Sequence, residues 1–176
     1  MPHYMLGFSL GSFLLREYLG RYPEGVAGAV IAGTGMQPAG VLSIMLSVVK
    51  GQVKKGFDKT TALVRSLSFG TYNKKFKPNR TEADWLCADE AQLDAYLADP
   101  LCRRDISSGL FWQLLDAMKR TGSKDACEGW NKEMPVLLLS GAEDPVGDKG
   151  NGVKSVCQQL MQAGMRKVAI ELLPGA

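Results

Sequence analysis

Four short apolar runs, separated by segments with helical periodicity, constrain the fold of this chain more than any other feature. The runs are residues 3–8, 25–33, 135–141 and 167–173. Apolar runs of this length without polar alternation are typical of strands buried on both faces of a parallel sheet. Because strands that alternate with helices build parallel sheets with right-handed crossovers, the pattern predicts an α/β fold.

Amphipathic helices are predicted directly after the first and third runs. In the first helix, residues at spacings of three and four are expected to face the core: Leu10, Phe13, Leu14 and Tyr18. Arg16, Glu17 and Arg21 are expected on the solvent face of the same helix. The second helix is predicted over residues 153–161 and is ended by Gly164.

Residues 34–134 form a segment far longer than one crossover between parallel strands requires. It shows no strong strand pattern, and helical patterns occur near residues 40–54, 59–68, 88–98 and 107–120. We therefore expect a helical cap, or lid, over the carboxyl ends of the strands, where ligands bind in open α/β sheets. The predicted division is a partial core of residues 1–33 and 135–176, with the cap between them.

Charge and cysteine usage favour a protein without nucleic-acid partners, metals or cofactors. The net charge is only +3, and the short cluster of Lys74, Lys75 and Lys77 is typical of a solvated face. The four cysteines, at positions 87, 102, 127 and 157, form no close pair, and the sequence has one histidine. No signal peptide and no membrane span are predicted, so we expect a cytoplasmic protein with free thiols.

The stretch GFSLG, residues 7–11, matches the G-x-S-x-G pattern of a serine on a strained turn between strand and helix. Side chains at Gly7 and Gly11 are expected to clash in such a turn. Ser9 is then a candidate nucleophile, and the backbone N–H of Leu10 is a candidate oxyanion donor. The alternative is an ordinary turn built from small residues.

The stretch SGAEDPVG, residues 140–147, follows the third apolar run and offers an acid that could orient a histidine. Asp144 is the best candidate because Pro145 stiffens the loop behind it. Glu143 and Asp148 are poorer candidates. A plain Asp-Pro turn is the alternative.

Together, GFSLGSFLLREYL and VLLLSGAEDPVGDKGNGV closely resemble α/β-hydrolases of the lysophospholipase and monoacylglycerol lipase-like group, also labelled serine aminopeptidases. Residues 81–102 resemble the cap of this group. The resemblance implies the C-terminal half of an α/β-hydrolase parallel sheet, with Ser9 as the nucleophile and Asp144 as the triad acid. Phe8 departs from the group, where histidine usually precedes the serine.

The resemblance also implies a triad histidine after the last core strand, and no histidine follows Asp144 in this sequence. His3 precedes the serine, so we expect a structural role for it. The first strands of the family fold are missing as well. We therefore expect a fragment with little or no catalytic activity. Its first strand should be an exposed apolar edge that permits self-association.

The leading hypothesis is a serine hydrolase that cleaves small-molecule or lipid carboxylic esters through an acyl-enzyme. Lysophospholipids and monoacylglycerols are the expected substrates, although transferase chemistry would use the same residues. Predicted pocket walls, each of which could instead be cap core, are Leu42, Met45, Leu46, Phe69, Trp85 and Trp112. The alternative function is a non-catalytic binding protein that recruits a partner by strand addition.

Overall fold

A computed structural model describes residues 1–102 and 105–176. Arg103 and Arg104, which fall within the predicted cap, lie outside the described residues. The strands are β1 (His3–Phe8), β2 (Val26–Ala32), β3 (Val136–Gly141) and β4 (Val168–Leu173). All three neighbouring pairs are parallel, and the strands lie in the order β1-β2-β3-β4. The predicted α/β fold is confirmed.

Two helices pack against one face of this sheet, namely α1 (Leu10–Arg21) and α6 (Asn151–Gln162). The core between them contains Leu19 of α1, Ile31 of β2, Leu138 of β3 and Val156 of α6, all with no exposed surface. Burying side chains of this size is the main stabilising contribution to the fold, at roughly 1.5–3 kcal/mol each.

The segment between β2 and β3 is helical, as its periodicity predicts. It forms α2 (Ala39–Val53), α3 (Ala62–Ser68), α4 (Glu90–Ala98) and α5 (Ser108–Thr121). Side-chain oxygens of Thr61, Asp89 and Ser107 accept hydrogen bonds from amides in the first turns of α3, α4 and α5, which explains where those helices begin. A 3₁₀ helix over Tyr72–Phe76 was not predicted. The treatment of residues 34–134 as a separate cap stays a prediction.

The prediction that β1 is buried on both faces is wrong, whereas the prediction of an exposed apolar edge is confirmed. Tyr4, Leu6 and Phe8 retain 73%, 70% and 62% of their accessible surface. The physical reason is twofold. β1 pairs only with β2 among the described strands, and the helices of the main core lie on the opposite face of the sheet.

The predicted faces of α1 are also partly wrong. Leu14 and Tyr18 are exposed, and Arg16 is almost fully buried. The Arg16 guanidinium donates to the carbonyls of Gly35 (3.0 Å) and Thr121 (2.9 Å) and to Gln159 Oε1 (3.2 Å). Burial lowers the pKa of Arg16 to about 10. A charged group tolerates this environment because it is hydrogen-bonded on several sides.

Arg16 thereby joins α1 to α5, α6 and the loop after β2. That loop packs closely against the loop after β3. The approach leaves no room for a side chain at Gly35, where a Cβ atom would lie 2.5 Å from the carbonyl oxygen of Val146. The carboxyl ends of β1, β2 and β3 are thus held together as one platform. Within the described residues, no helix has both the length and the apolar character needed to cross a bilayer.

Candidate active site

Ser9 occupies the turn between β1 and α1 in a conformation that few non-glycine residues adopt. Its backbone angles are φ 50° and ψ −117°, which is strained for a residue with a Cβ atom. Its N–H donates to the carbonyl of Ala32 at 3.0 Å, and its carbonyl accepts from Ser12 N at 2.9 Å and Ser12 Oγ at 2.6 Å. These bonds fix the backbone and leave the Ser9 hydroxyl outside the turn's own network.

The two glycines that flank Ser9 are not equivalent. A Cβ atom at Gly7 would lie 2.4 Å from the carbonyl oxygen of Gly11 and 2.9 Å from Leu15 Cβ. A Cβ atom at Gly11 would meet no described atom within 4 Å other than its chain neighbours and the backbone of its own helix. The expected clash therefore exists at Gly7 and is wrong for Gly11, because the close approach joins the Cα of Gly7 to the backbone of Gly11.

Asp144 lies in the loop after β3, and its carboxylate is held on both oxygens. Oδ1 accepts from the N–H of Val146 at 2.8 Å, and Oδ2 accepts from the hydroxyl of Ser140 at 3.1 Å. The carboxylate is half-buried and has a fixed orientation. It could orient a histidine that approaches from the cavity and stabilise its cation.

The other two acids of this loop are engaged elsewhere. Glu143 is exposed and pairs with Lys149 Nζ at 2.5 Å. Asp148 is exposed, has a positive φ of 49° and lies 3.9 Å from Lys75 Nζ. Asp144 therefore differs from Glu143 and Asp148, because both oxygens of its carboxylate accept hydrogen bonds from uncharged groups, whereas the other two carboxylates pair with lysines.

Ser9 and Asp144 line the same cavity, which has a volume of about 500 Å³. Its floor is formed at the carboxyl ends of the strands by residues such as Phe8, Leu139 and Leu173, and Trp85 and Cys87 line it from the cap. Open α/β sheets bind ligands at this end of the strands. A more open groove of about 620 Å³ lies near the amino ends of the strands, and neither Ser9 nor Asp144 lines it.

Of the residues predicted for the pocket, Trp85 lines this cavity. The remaining five do not line it. Phe69 lies behind Trp85, with the two rings stacked at 5.4 Å between centroids. The other four belong to a second apolar core formed by α2, α3 and α5: Leu42, Met45, Leu46 and Trp112. These four side chains pack between the helices. Helical periodicity predicts that they are buried, but it does not indicate whether they face a neighbouring helix or a ligand cavity.

Trp85 is braced by an aromatic cluster at the cap edge of the cavity. Its ring makes an edge contact with Tyr72 at 5.0 Å between centroids, and its backbone N–H donates to Asn73 Oδ1 at 3.1 Å. Burial, and to a smaller extent the charge of Asp144, raises the pKa of the Tyr72 hydroxyl.

Sequence reasoning missed several cavity residues, including Phe8, Asp84 and Cys87. Phe8 could have been found, because the residue before the turn serine ends β1 at the same edge. Nothing in the local sequence marks Asp84 or Cys87. Among residues 1–102 and 105–176, no cluster of three or more potential ligands is arranged to hold a metal ion.

Comparison with known proteins places these observations in context. A family model described as serine aminopeptidase, S33, matches residues 1–176. The carboxyl esterase of Bacillus coagulans, solved with glycerol, superposes with a TM-score of 0.89 at 24% identity over 99% of this chain and 57% of that protein. The monoacylglycerol lipase of Paleococcus ferrophilus gives 0.65 at 20% identity, over 99% of this chain and 59% of that one.

A soluble variant of the monoglyceride lipase of Saccharomyces cerevisiae, in complex with a substrate analogue, gives a TM-score of 0.64 at 18% identity, over 100% of this chain and 54% of that one. At these identities the likeness shows a shared fold. The chain spans little more than half the length of these structures. No curated protein sequence matches the chain.

Proposed function

The chain belongs to the serine aminopeptidase S33 family of α/β-hydrolases, and on that premise we propose that it carries the nucleophile and the acid of an esterase or lipase. One observation carries the proposal. Ser9, strained at φ 50°, and Asp144, held on both carboxylate oxygens, line one cavity. Strain at a reactive side chain is a recurrent feature of functional sites.

The proposed reaction is acyl transfer through a covalent intermediate. Ser9 Oγ adds to the carbonyl carbon of an ester while its proton passes to a histidine, and the carbonyl oxygen becomes an oxyanion. The N–H of Leu10, in the first turn of α1, would donate to that oxyanion, and the positive end of the helix dipole would stabilise it. The alcohol then leaves with the proton, and water hydrolyses the acyl-enzyme.

His3 is the single histidine of the sequence and stands too far from Ser9 to serve as the base. It begins β1, and the six residue steps to Ser9 span about 20 Å in an extended strand. The proposal therefore places the base outside residues 1–176. Gly175 and Ala176 line the cavity, and the carbonyl of Ala176 accepts from Glu143 N at 2.8 Å.

The proposed substrates are small-molecule or lipid esters, such as monoacylglycerols or lysophospholipids. Apolar groups of Phe8, Leu139, Leu173 and Trp85 in the cavity wall support an acyl substrate. A transferase would use the same residues with a different acceptor. The proposal includes a cytoplasmic, reducing compartment, which the four free cysteines support.

Chemical rescue tests the proposal. Without a base, we expect the chain to hydrolyse p-nitrophenyl acetate hardly faster than its Ser9→Ala variant. Added imidazole should restore a rate that depends on Ser9, after subtraction of the reaction of imidazole with the ester. Ser47→Ala, which removes an exposed hydroxyl on α2, is the matched control and should retain the full rescued rate. Equal rescued rates for the wild type and Ser9→Ala would refute the assignment of Ser9.

A second candidate function, recruitment of a partner by strand addition, is favoured by the edge of β1. Tyr4, Leu6 and Phe8 of this strand retain 73%, 70% and 62% of their accessible surface. Self-association through this edge is part of the same proposal, because β1 presents unpaired backbone groups beside Leu6.

A further inference from the structure

The charged side chains that line the cavity are all carboxylates among the described residues. They are Asp84, Glu143 and Asp144. No lysine, arginine or histidine of the described ranges lines this cavity. Sites that recognise phosphate present arginine or lysine side chains, or the amide groups of a helix start, to the phosphate oxygens. The described wall lacks such cationic side chains, and the proposed mechanism assigns the helix start at Leu10 to the oxyanion.

The three carboxylates differ in how far neighbouring groups offset their charge. Lys149 Nζ, at 2.5 Å, offsets the charge of Glu143. Asp144 is committed to the acid loop through Ser140 and Val146. Among the described residues Asp84 forms no ion pair, although the charge of Arg80 acts on it at longer range. The nearby guanidinium of Arg80 pairs instead with Asp94, at 2.8 Å.

Asp84 is nevertheless firmly placed at the cap side of the cavity. Its Oδ1 accepts from the hydroxyl of Thr81 at 2.5 Å and from Thr81 N at 2.9 Å, and its Oδ2 accepts from Arg80 N at 2.7 Å. The hydrogen bond from the Thr81 side chain is the main cause that lowers the pKa of Asp84 below its ordinary value. Asp84 is therefore a fixed negative charge at neutral pH.

We propose that Asp84 is a specificity-determining residue that selects uncharged head groups and disfavours anionic ones. The inference rests on the proposed function, in which this cavity holds the ester substrate. Like charges repel across a cavity of this size, and a head group with a phosphate monoester carries close to two negative charges. A neutral glyceride-type ester meets no such penalty. Within the substrates proposed above, monoacylglycerols are favoured over acidic lysophospholipids.

The test uses two ligands that differ only in the phosphate: 1-O-octylglycerol and 1-O-octylglycerol-3-phosphate. Both are ethers, so neither depends on catalysis. Binding is measured by calorimetry, and its location by protection of Cys87, which lines the cavity, from iodoacetamide. Cys102, which does not line it, is the reference thiol. We expect the wild-type chain to prefer the neutral ligand at least about fivefold, a ratio that should fall as salt screens the repulsion.

Asp84→Asn should lower this preference about fivefold. Asp89→Asn is the matched control, because Asp89 is also an aspartate that accepts a hydrogen bond from a backbone amide three residues away, and it does not line the cavity. It should preserve the wild-type ratio. Circular dichroism of both variants checks that each retains the fold.

The inference is overturned if the wild type binds both ligands equally, if salt leaves the ratio unchanged, or if Asp84→Asn and the wild type discriminate alike. It also fails if neither ligand protects Cys87, since the cavity is then not the ligand site. The imidazole rescue of Ser9 is measured separately with a different substrate. Failure of the head-group inference is therefore distinguishable from failure of the catalytic assignment.

Discussion

Replacing each glycine of the Ser9 turn by alanine tests how that turn is packed. In Gly7→Ala the new methyl group would lie 2.4 Å from the carbonyl oxygen of Gly11, so β1 and α1 must separate. Forcing extra volume into a packed site costs about 1–3 kcal/mol. We expect the upper end of that range, about 3 kcal/mol, because the atom in contact is backbone and cannot rotate away.

Gly11→Ala should behave in the opposite way. Gly11 lies in α1, and beyond its chain neighbours and the backbone of that helix its methyl group would meet no described atom within 4 Å. Alanine in a helix is favoured over glycine by roughly 0.5–1 kcal/mol, because glycine loses more backbone freedom on folding. We expect a gain of about 0.5 kcal/mol, since the position is near the start of the helix.

Urea unfolding followed by far-ultraviolet circular dichroism measures both effects. With a slope of about 2 kcal/mol per molar urea, the midpoint should fall by about 1.5 M for Gly7→Ala and rise by about 0.25 M for Gly11→Ala. The two variants control for each other, because each adds one methyl group to the same turn. A loss of 1 kcal/mol or more in Gly11→Ala would refute the reasoning that a single backbone approach sets the glycine requirement.

Two further predictions concern the α1 surface and the β1 edge. Arg120 donates to Glu17 at 2.6 Å and lowers the pKa of that carboxyl, so Glu17→Gln should cost about 1 kcal/mol at pH 7. Since the folded-state pKa lies below the ordinary value of 4.5, thermal unfolding should show this difference vanish as the pH falls through it. Leu6→Lys should reduce self-association in sedimentation velocity, whereas Ile44→Lys, at an equally exposed position on α2, should not.

Either result could contradict its prediction directly. A difference between Glu17→Gln and the wild type that persists at pH 3 would show that the carboxylate charge is not its source. Equal effects of Leu6→Lys and Ile44→Lys would attribute any association to general surface hydrophobicity rather than to the edge of β1.

Periodicity predicted the elements, because backbone conformation follows largely from neighbours along the chain. The four apolar runs became the four strands, and the helix predicted near residues 107–120 is α5 (Ser108–Thr121). The sequence also predicts that Ser9 and Asp144 lie at the same edge of the sheet. Parallel strands bring their carboxyl ends to one edge of a sheet, so residues that follow two such strands meet there.

The sequence did not predict which side chains of each element are buried or what they pack against. Arg16 looks like a solvated residue in the sequence of α1, yet acceptors contributed by distant segments, such as Gly35 and Gln159, make its burial tolerable. Leu42 looks as suitable for a pocket as Trp85 does, but it packs between helices. Each outcome depends on groups that lie far away in the chain.

The sequence by itself therefore determined the α/β class, the element order and the two residues, Ser9 and Asp144, that the site brings together. Only the tertiary structure decided that Gly7 rather than Gly11 limits the turn and that Trp85 and Asp84 line the cavity. The physical reason is that backbone conformation follows from neighbours along the chain, whereas burial and charge environment follow from neighbours in space.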